Sequence, residues 1–398
     1  MKTDVAIVGG GIAGSTLMAM LGRTGVDAVL IDPHQNYPAD FRCEKFDSSQ
    51  IEILQKTGLS GLVMNALTPV EDVWVARYGR LLDKKPNKQC GFMYQTAVNA
   101  IRHAIPDHRR IVVGKAKAIS TSDNVQTITL SNGKTVQSRL LVLANGLNQN
   151  LRRSLGIEKV MLSANHSVSI GFDLLPQGAG FDFPALTYFA ERAADNAAYL
   201  TLFPIGSAMR ANLFVYRQMD DPWLARMRQA PAAGLAELMP GLKDLTGGYD
   251  IVDDVKIRPV DLCTVAGYRQ AGVVLVGDAF TTSCPAAGTG AGRALTDVEL
   301  LANRHIPQWL ANPGTGINKV AEFYDDREKI AYDKMCLDKA FGLRDLSTEP
   351  GPIWLARRLA RFAAHRGLGK LRELRGAVPP GNGRGRAAPA KAGPRSPR

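Results

Sequence analysis

Gly9-Gly10-Gly11-Ile12-Ala13-Gly14 has the G-x-G-x-x-G spacing that lets a backbone approach a diphosphate. Gly9 suits a tight turn, Gly11 leaves room for the pyrophosphate, and Gly14 allows close packing of helix on strand. The helix opening at Ile12 and Ala13 aims unpaired N–H groups at the phosphates. Asp32 follows 18 residues after Gly14, at the end of a second strand, where it could accept bonds from a ribose diol. The alternative is a glycine-rich turn in some other α/β fold. Far along the chain, Val273–Val276 reads as a buried strand running into Gly277-Asp278. Pro285, Gly288, Thr289, Gly290 and Ala291 then lead into another helix. A carboxylate at a strand end beside a glycine-rich helix start suits a polyol and an electron-deficient ring together. Asp278 can accept a hydroxyl, and the helix N-terminus favours negative charge on the ring.

Strands must carry these residues. Asp4–Val8 reads as a buried strand, Ile12–Arg23 as a helix and Ala28–Ile31 as a second strand, a βαβ unit at the N-terminus. Phe46–Gly58 and Tyr94–Ile105 are expected helices. Residues 111–142 change to short strands with an Asn132-Gly133 hairpin turn. Between Ser163 and Pro259 the runs HSVSIGFDL, AAYLTLFPI and ANLFVYRQM predict a separate antiparallel layer, interrupted by one helix over Pro222–Leu238. The last glycine-rich start continues as a helix over Arg293–Asn303.

The net charge of +12 is local: residues 351–398 hold twelve Lys or Arg and one acid, Glu373, leaving the rest at +1. Ile353–Ala364 predicts a basic amphipathic helix, read here as packed on the body with its basic face solvated. The alternative is peripheral contact with a membrane or a protein through the basic tail. Nucleic acid is not expected, because aromatics are not interleaved with the charges. No apolar run reaches the ~20 residues of a membrane span. Five scattered cysteines without a C-x-x-C pair predict a reducing, cytoplasmic setting, no disulfide framework and no metal site.

Together these stretches resemble the FAD-dependent aromatic hydroxylase family, the para-hydroxybenzoate hydroxylase-like single-component flavoprotein monooxygenases. The first matching stretch is the N-terminal fingerprint. The second is Phe41-Arg42-Cys43-Glu44, similar to the family's Phe-Arg-Gly-Glu, which implies that Arg42 and Glu44 line the flavin and its ribose. The third is Ala144-Asn145-Gly146 with Arg152, and the fourth is Gly277-Asp278 with Pro285 and the Gly288/Gly290 loop. In the family that proline and loop lie near the site of oxygen activation, which implies catalytic roles for Pro285 and Gly288. Gln95 falls where the family often has a flavin contact. Asn145 and Leu147 depart from the family's aspartate and arginine, which predicts slow direct reduction by NAD(P)H.

The resemblance implies an α/β fold. A Rossmann-type, glutathione reductase-like FAD-binding domain (1–70, 94–160, 264–345) interleaves with a mixed or antiparallel β-sheet substrate domain (71–93, 161–263). A C-terminal helical segment (346–375) and a disordered basic tail (376–398) follow. It also implies a monooxygenase with FAD as cofactor and NAD(P)H as co-substrate, acting with O2 on an electron-rich aromatic or similar small molecule through a flavin C4a-hydroperoxide. A halogenase or an isoprenoid-type reductase shares the fold, but Trp74, Trp223, Trp309 and Trp354 are isolated and form no halogenase Trp-x-Trp signature. Tyr188, Tyr199, Phe203, Arg210, Tyr216 and His166 are candidates to line the substrate, with the Phe203–Gly206 loop beside the ring. The expected state is monomer or homodimer.

Overall fold

A computed structural model describes residues 1–376. Five parallel strands run in the order Ile111–Val113, Ala28–Asp32, Lys2–Val8, Thr135–Leu143 and Val273–Leu275. Gln126–Leu130 and Ala116–Ser120 extend this sheet antiparallel beside Thr135–Leu143. The central stretches Val5–Val8, Ala28–Ile31, Leu140–Leu143 and Val273–Leu275 are apolar on both faces because both are covered. Val5 and Ile7 pack under the helices Ile12–Arg23, Tyr94–His103 and Gly290–Leu300, while Ala6 and Val8 face a second core with Leu151 and Leu275.

The second sheet has eight strands. Their order is Tyr249–Ala266, Glu158–Pro176, Ala208–Val215, Ala197–Ile205, Leu186–Phe189, Thr68–Arg77, Arg80–Gly91 and Lys45–Asp47. Neighbours are antiparallel except Leu186–Phe189 with Thr68–Arg77. Three of its strands, those opening at Lys45, Thr68 and Glu158, thus begin within the segments that the sequence assigns to the FAD-binding domain.

The expected helix Tyr94–Ile105 ends two residues early at His103, and three others change their limits further. Phe46 belongs to a strand, fully buried against Phe92, and the helix Ser48–Lys56 starts only after Asp47. The Asp47 carboxylate accepts the Ser49 and Gln50 N–H groups while Gln50 Oε1 accepts that of Asp47, a reciprocal cap that fixes the boundary. The single helix over Pro222–Leu238 is two, Pro222–Gln229 and Pro231–Leu238, because Pro231 lacks the N–H a continuous helix needs. The last glycine-rich helix starts at Gly290 and passes at Leu301–His305 into a π-helical turn.

The C-terminal helix Pro352–Gly376 leaves Arg357, Arg366 and Lys370 solvated, but its packed side is not its leucine side. Arg358 is buried, and Arg372 pairs with the buried Asp83 on the strand Arg80–Gly91, while Leu359, Leu371 and Leu374 are exposed. The expected tail beyond Gly376 lies outside the described residues.

Candidate active site

The carboxyl ends of Lys2–Val8, Ala28–Asp32 and Val273–Leu275 open onto one cavity, the position where open α/β sheets bind ligands. Gly9, Gly11, Ile12 and Ala13 line it. Gly14 lies behind them, where a methyl group would run into the Gly9 carbonyl, so it serves helix–strand contact. The Ile12 N–H is taken by Tyr94 Oη at 3.1 Å. Burial raises the Tyr94 pKa, which keeps its hydroxyl protonated. Gln95 is off the cavity wall and Tyr94 is on it, since one step along a helix turns the side chain by about 100°.

Asp32 is organised by a residue the sequence reading missed. Its Oδ2 accepts the Gly10 N–H at 2.6 Å and its Oδ1 the His34 N–H at 3.0 Å. Arg102, buried in the last turn of Tyr94–His103, approaches Asp32 Oδ1 at 3.2 Å and donates to Gly10 O at 2.7 Å and His34 O at 2.6 Å. One guanidinium therefore fixes both the glycine loop and its acid. The available signal was a cation placed on the buried face of an amphipathic helix.

At the other end, Gly277 has φ +57°, a left-handed turn that glycine takes without strain, and its N–H donates to Asp297 Oδ2 at 2.8 Å. This turns the Asp278 carboxylate into the cavity, 3.7 Å from Arg42 Nη1. Burial raises the Asp278 pKa, opposed by Arg42, Arg293, Arg258 and Arg152. Arg42 also pairs with Asp40, which Arg258 approaches at 3.3 Å. Arg152 donates to Ala279 O at 2.5 Å and to Gly146 O at 3.3 Å, joining the Asn145-Gly146 turn to the Gly277–Ala279 turn. Pro285, Gly288, Gly290 and Ala291 line the cavity, whereas Thr289 is buried beneath them. Gln50 Nε2 donates to Gly288 O at 2.6 Å and the Tyr199 hydroxyl donates to Ala286 O, so this loop is held from both sides.

The facing wall follows from strand register. Tyr199, Thr201 and Phe203 alternate along one strand and lie opposite Phe214, Asn212 and Arg210 on the next. Ser169, Gly171 and Asp173 continue the same face. Tyr199 and Phe203 thus reach the cavity, and Arg210 reaches Glu44 (3.5 Å) and Asp173 (3.2 Å). Tyr188 points elsewhere, donating to Glu191 Oε1 at 2.6 Å, and His166 and Tyr216 pack with each other away from the wall. In the Phe203–Gly206 loop only Phe203 lines the cavity; the Gly206 N–H is held by Thr68 Oγ1 at 3.0 Å. Cys43 donates to Lys45 O, and burial pushes its thiol up to about 12, which leaves it inert. Lys45 lines the cavity unforeseen, its ammonium pulled down to about 8 by burial.

Glu44 is 3 % exposed and, with the Asn212 amide turned to satisfy both atoms, accepts its N–H at 3.1 Å. Burial pushes the Glu44 carboxyl up from 4.5 to about 7; Arg210 and Asn212 pull it down, and Asp173 adds to the rise. The folded protein therefore binds a proton that the unfolded chain releases near pH 4.5, so stability falls as pH rises from about 4.5 to 7. Glu44→Gln is expected to remove up to about 3 kcal/mol of that fall. Thermal melts at pH 5 and pH 7.5 check it; identical losses in both proteins would mean that Glu44 does not titrate there.

The cavity encloses about 700 Å3, within the roughly 300–1,000 Å3 of ligand sites. Residues from both glycine-rich helix starts line it together. Asn145 Oδ1 and Ser169 Oγ, from two residues on its wall, are buried without a hydrogen-bond partner. A dinucleotide carrying a polar ring fits these features. Residues 2–306 match the family model described as FAD binding domain. The chain is 28% identical to ubiquinone hydroxylase UbiL of Rhodospirillum rubrum, covering 93% of this chain and 88% of the relative. It is 25% identical to 3-demethoxyubiquinol 3-hydroxylase of Escherichia coli, covering 75% and 78%. Among solved structures it shares the fold of p-nitrophenol 4-monooxygenase PnpA from Pseudomonas putida DLL-E4, with a TM-score of 0.73, 17% identity and coverage of 94% and 96%. The chain belongs to the FAD binding domain family and is an FAD-dependent monooxygenase of the aromatic-hydroxylase type.

Proposed function

We propose that the chain hydroxylates the ring of a lipophilic quinol or phenol, with NAD(P)H as electron donor. The observation that carries this is the wall of Tyr199, Phe203 and Phe214, three aromatic rings with Thr201 and Asn212 between them, set opposite the Pro285–Gly288 loop. Relatives named ubiquinone hydroxylases and a demethoxyubiquinol hydroxylase support the substrate class.

When bound, FAD supplies the O2 chemistry that puts one oxygen atom on an electron-rich ring. This chain's own residues do the rest. The glycine-loop backbone and Arg42 would hold the diphosphate, Asp32, fixed by Arg102, the ribose, and Asp278 the ribityl hydroxyls. The loop braced by Gln50 and Tyr199 would set the ring against the apolar wall, where Phe203 and Phe214 exclude water. Asn145 donates to Asn148 O at 3.0 Å and Leu147 is 48% exposed, so neither offers a charge to a nicotinamide cofactor.

Anaerobic mixing of the yellow holoprotein with NADH or NADPH is expected to bleach the flavin slowly. A short-chain ubiquinol analogue should speed bleaching about tenfold or more, and in separate aerobic turnover one atom of isotopically labelled O2 should appear in the product. Oxygen uptake that ends wholly as hydrogen peroxide, across quinols and phenols, would reject the substrate class. Rapid bleaching by NADH or NADPH alone would reject the role given to Asn145 and Leu147.

A further inference from the structure

The helix Pro352–Gly376 meets the body through its polar and aromatic side. Arg358 donates to Leu346 O at 3.1 Å and Glu349 O at 2.8 Å. Phe362 packs on Phe189 at 5.4 Å with Arg77 4.0 Å above its ring. His365 and Arg372 both approach Asp83. With the buried Gly369, which lies against the Leu82 carbonyl, these positions recur every three or four residues, so they form one stripe. The opposite side carries Ile353, Leu359, Leu371 and Leu374, which are 68%, 58%, 53% and 66% exposed, with alanines between them. Exposed Arg357 borders this face on one edge and exposed Arg366 and Lys370 on the other.

We propose that this face lies in the interfacial layer of an anionic lipid bilayer, with its leucines among the acyl chains and its bordering cations at the headgroups. An apolar face edged by arginine and lysine is the pattern of helices that rest in a membrane surface. Among the described residues no helix is long and apolar enough to cross a membrane, so the helix lies on the bilayer. A second copy of this chain suits the face poorly. A symmetric pairing would set the same cations against each other, and Glu373 is the segment's single acid. The sequence beyond Gly376 adds Arg384, Arg386, Lys391, Arg395 and Arg398 without an acid, charges that favour an anionic surface. The body side of the docked helix touches Phe189, which contacts Tyr199 on the cavity wall at 5.9 Å, so one helix and one aromatic layer separate the bilayer from the site.

The test is partition of the full-length holoprotein onto phosphatidylcholine vesicles with and without phosphatidylglycerol; it involves no turnover. Binding is expected to need phosphatidylglycerol and to fall as salt rises. Leu359→Glu with Leu371→Glu should lower it at least tenfold, and Arg357→Gln, Arg366→Gln and Lys370→Gln together should remove the preference for anionic lipid. Leu371→Trp, which keeps the face apolar, should shift its emission to the blue on adding anionic vesicles. Unchanged partition of the double leucine variant, equal binding to both vesicle types, or an unshifted Leu371→Trp emission would overturn the proposal. So would a lipid-free dimer that the double leucine variant converts to a monomer, which would assign the face to a second copy.

Discussion

Asp278→Ala is expected to weaken FAD binding by roughly tenfold to a hundredfold, the loss of a charged hydrogen bond worth about 1.5–3 kcal/mol. Long-range electrostatics predicts the opposite sign. Asp278 sits among Arg42, Arg258, Arg293 and Arg152, and deleting its negative charge would make the site more attractive to an anionic dinucleotide. A loss of affinity therefore reports hydroxyl groups held by the carboxylate, and Asp278→Asn should fall between the wild type and alanine. Titration of the apoprotein with FAD, followed by flavin fluorescence, gives the three dissociation constants. Tighter binding by Asp278→Ala would show that the carboxylate touches no part of the cofactor.

The parts of this site legible in the sequence are those made by neighbouring residues. Gly9 to Gly14 and Gly277-Asp278 each build a turn and a helix start from a few consecutive positions, so local rules place them at strand ends. Arg102, Arg258 and Lys45 were not legible because what they do depends on partners far away in the chain. Arg102 reaches Gly10 across 92 positions, and nothing at either end marks the pairing. The substrate wall was half legible: membership of the antiparallel layer nominated Tyr199 and Phe203 together with Tyr188, Arg210, Tyr216 and His166, and only the pairing of the strands decides which of them face the cavity. The C-terminal helix carries the same lesson further. Helical periodicity separates a leucine side from an arginine side but does not say which is covered, and the buried Asp83 draws Arg372 inward. An expectation based on hydrophobicity alone chooses the wrong side.

Lys329→Met is expected to destabilise the protein by about 3–5 kcal/mol, although Lys329 lines no part of the cavity. Its ammonium is 2% exposed, 2.9 Å from Asp297 Oδ1 and 3.1 Å from Asp333 Oδ2, and 4.3 Å above the Phe280 ring. Burial pulls its pKa down, but the two aspartates more than reverse this, and the net shift is upward. Methionine fills a similar volume, so the cost is chiefly two carboxylates left in the interior with Arg293, 3.0 Å from Asp333, as the remaining nearby cation. That origin makes a second expectation. Lys329→Met combined with Asp297→Asn removes one orphaned charge while keeping an oxygen for the Gly277 N–H, so it should be less destabilised than Lys329→Met alone. The same variants bear on function, because Asp297 joins Lys329 to the Gly277 turn that aims Asp278. FAD affinity should therefore fall with Lys329→Met and partly recover in the pair. Denaturant unfolding and FAD titration of the single and double variants check both. A double variant less stable than Lys329→Met would show that the aspartate acts independently of the lysine, and an unmoved FAD affinity would cut the link between this buried cluster and the flavin-facing turn.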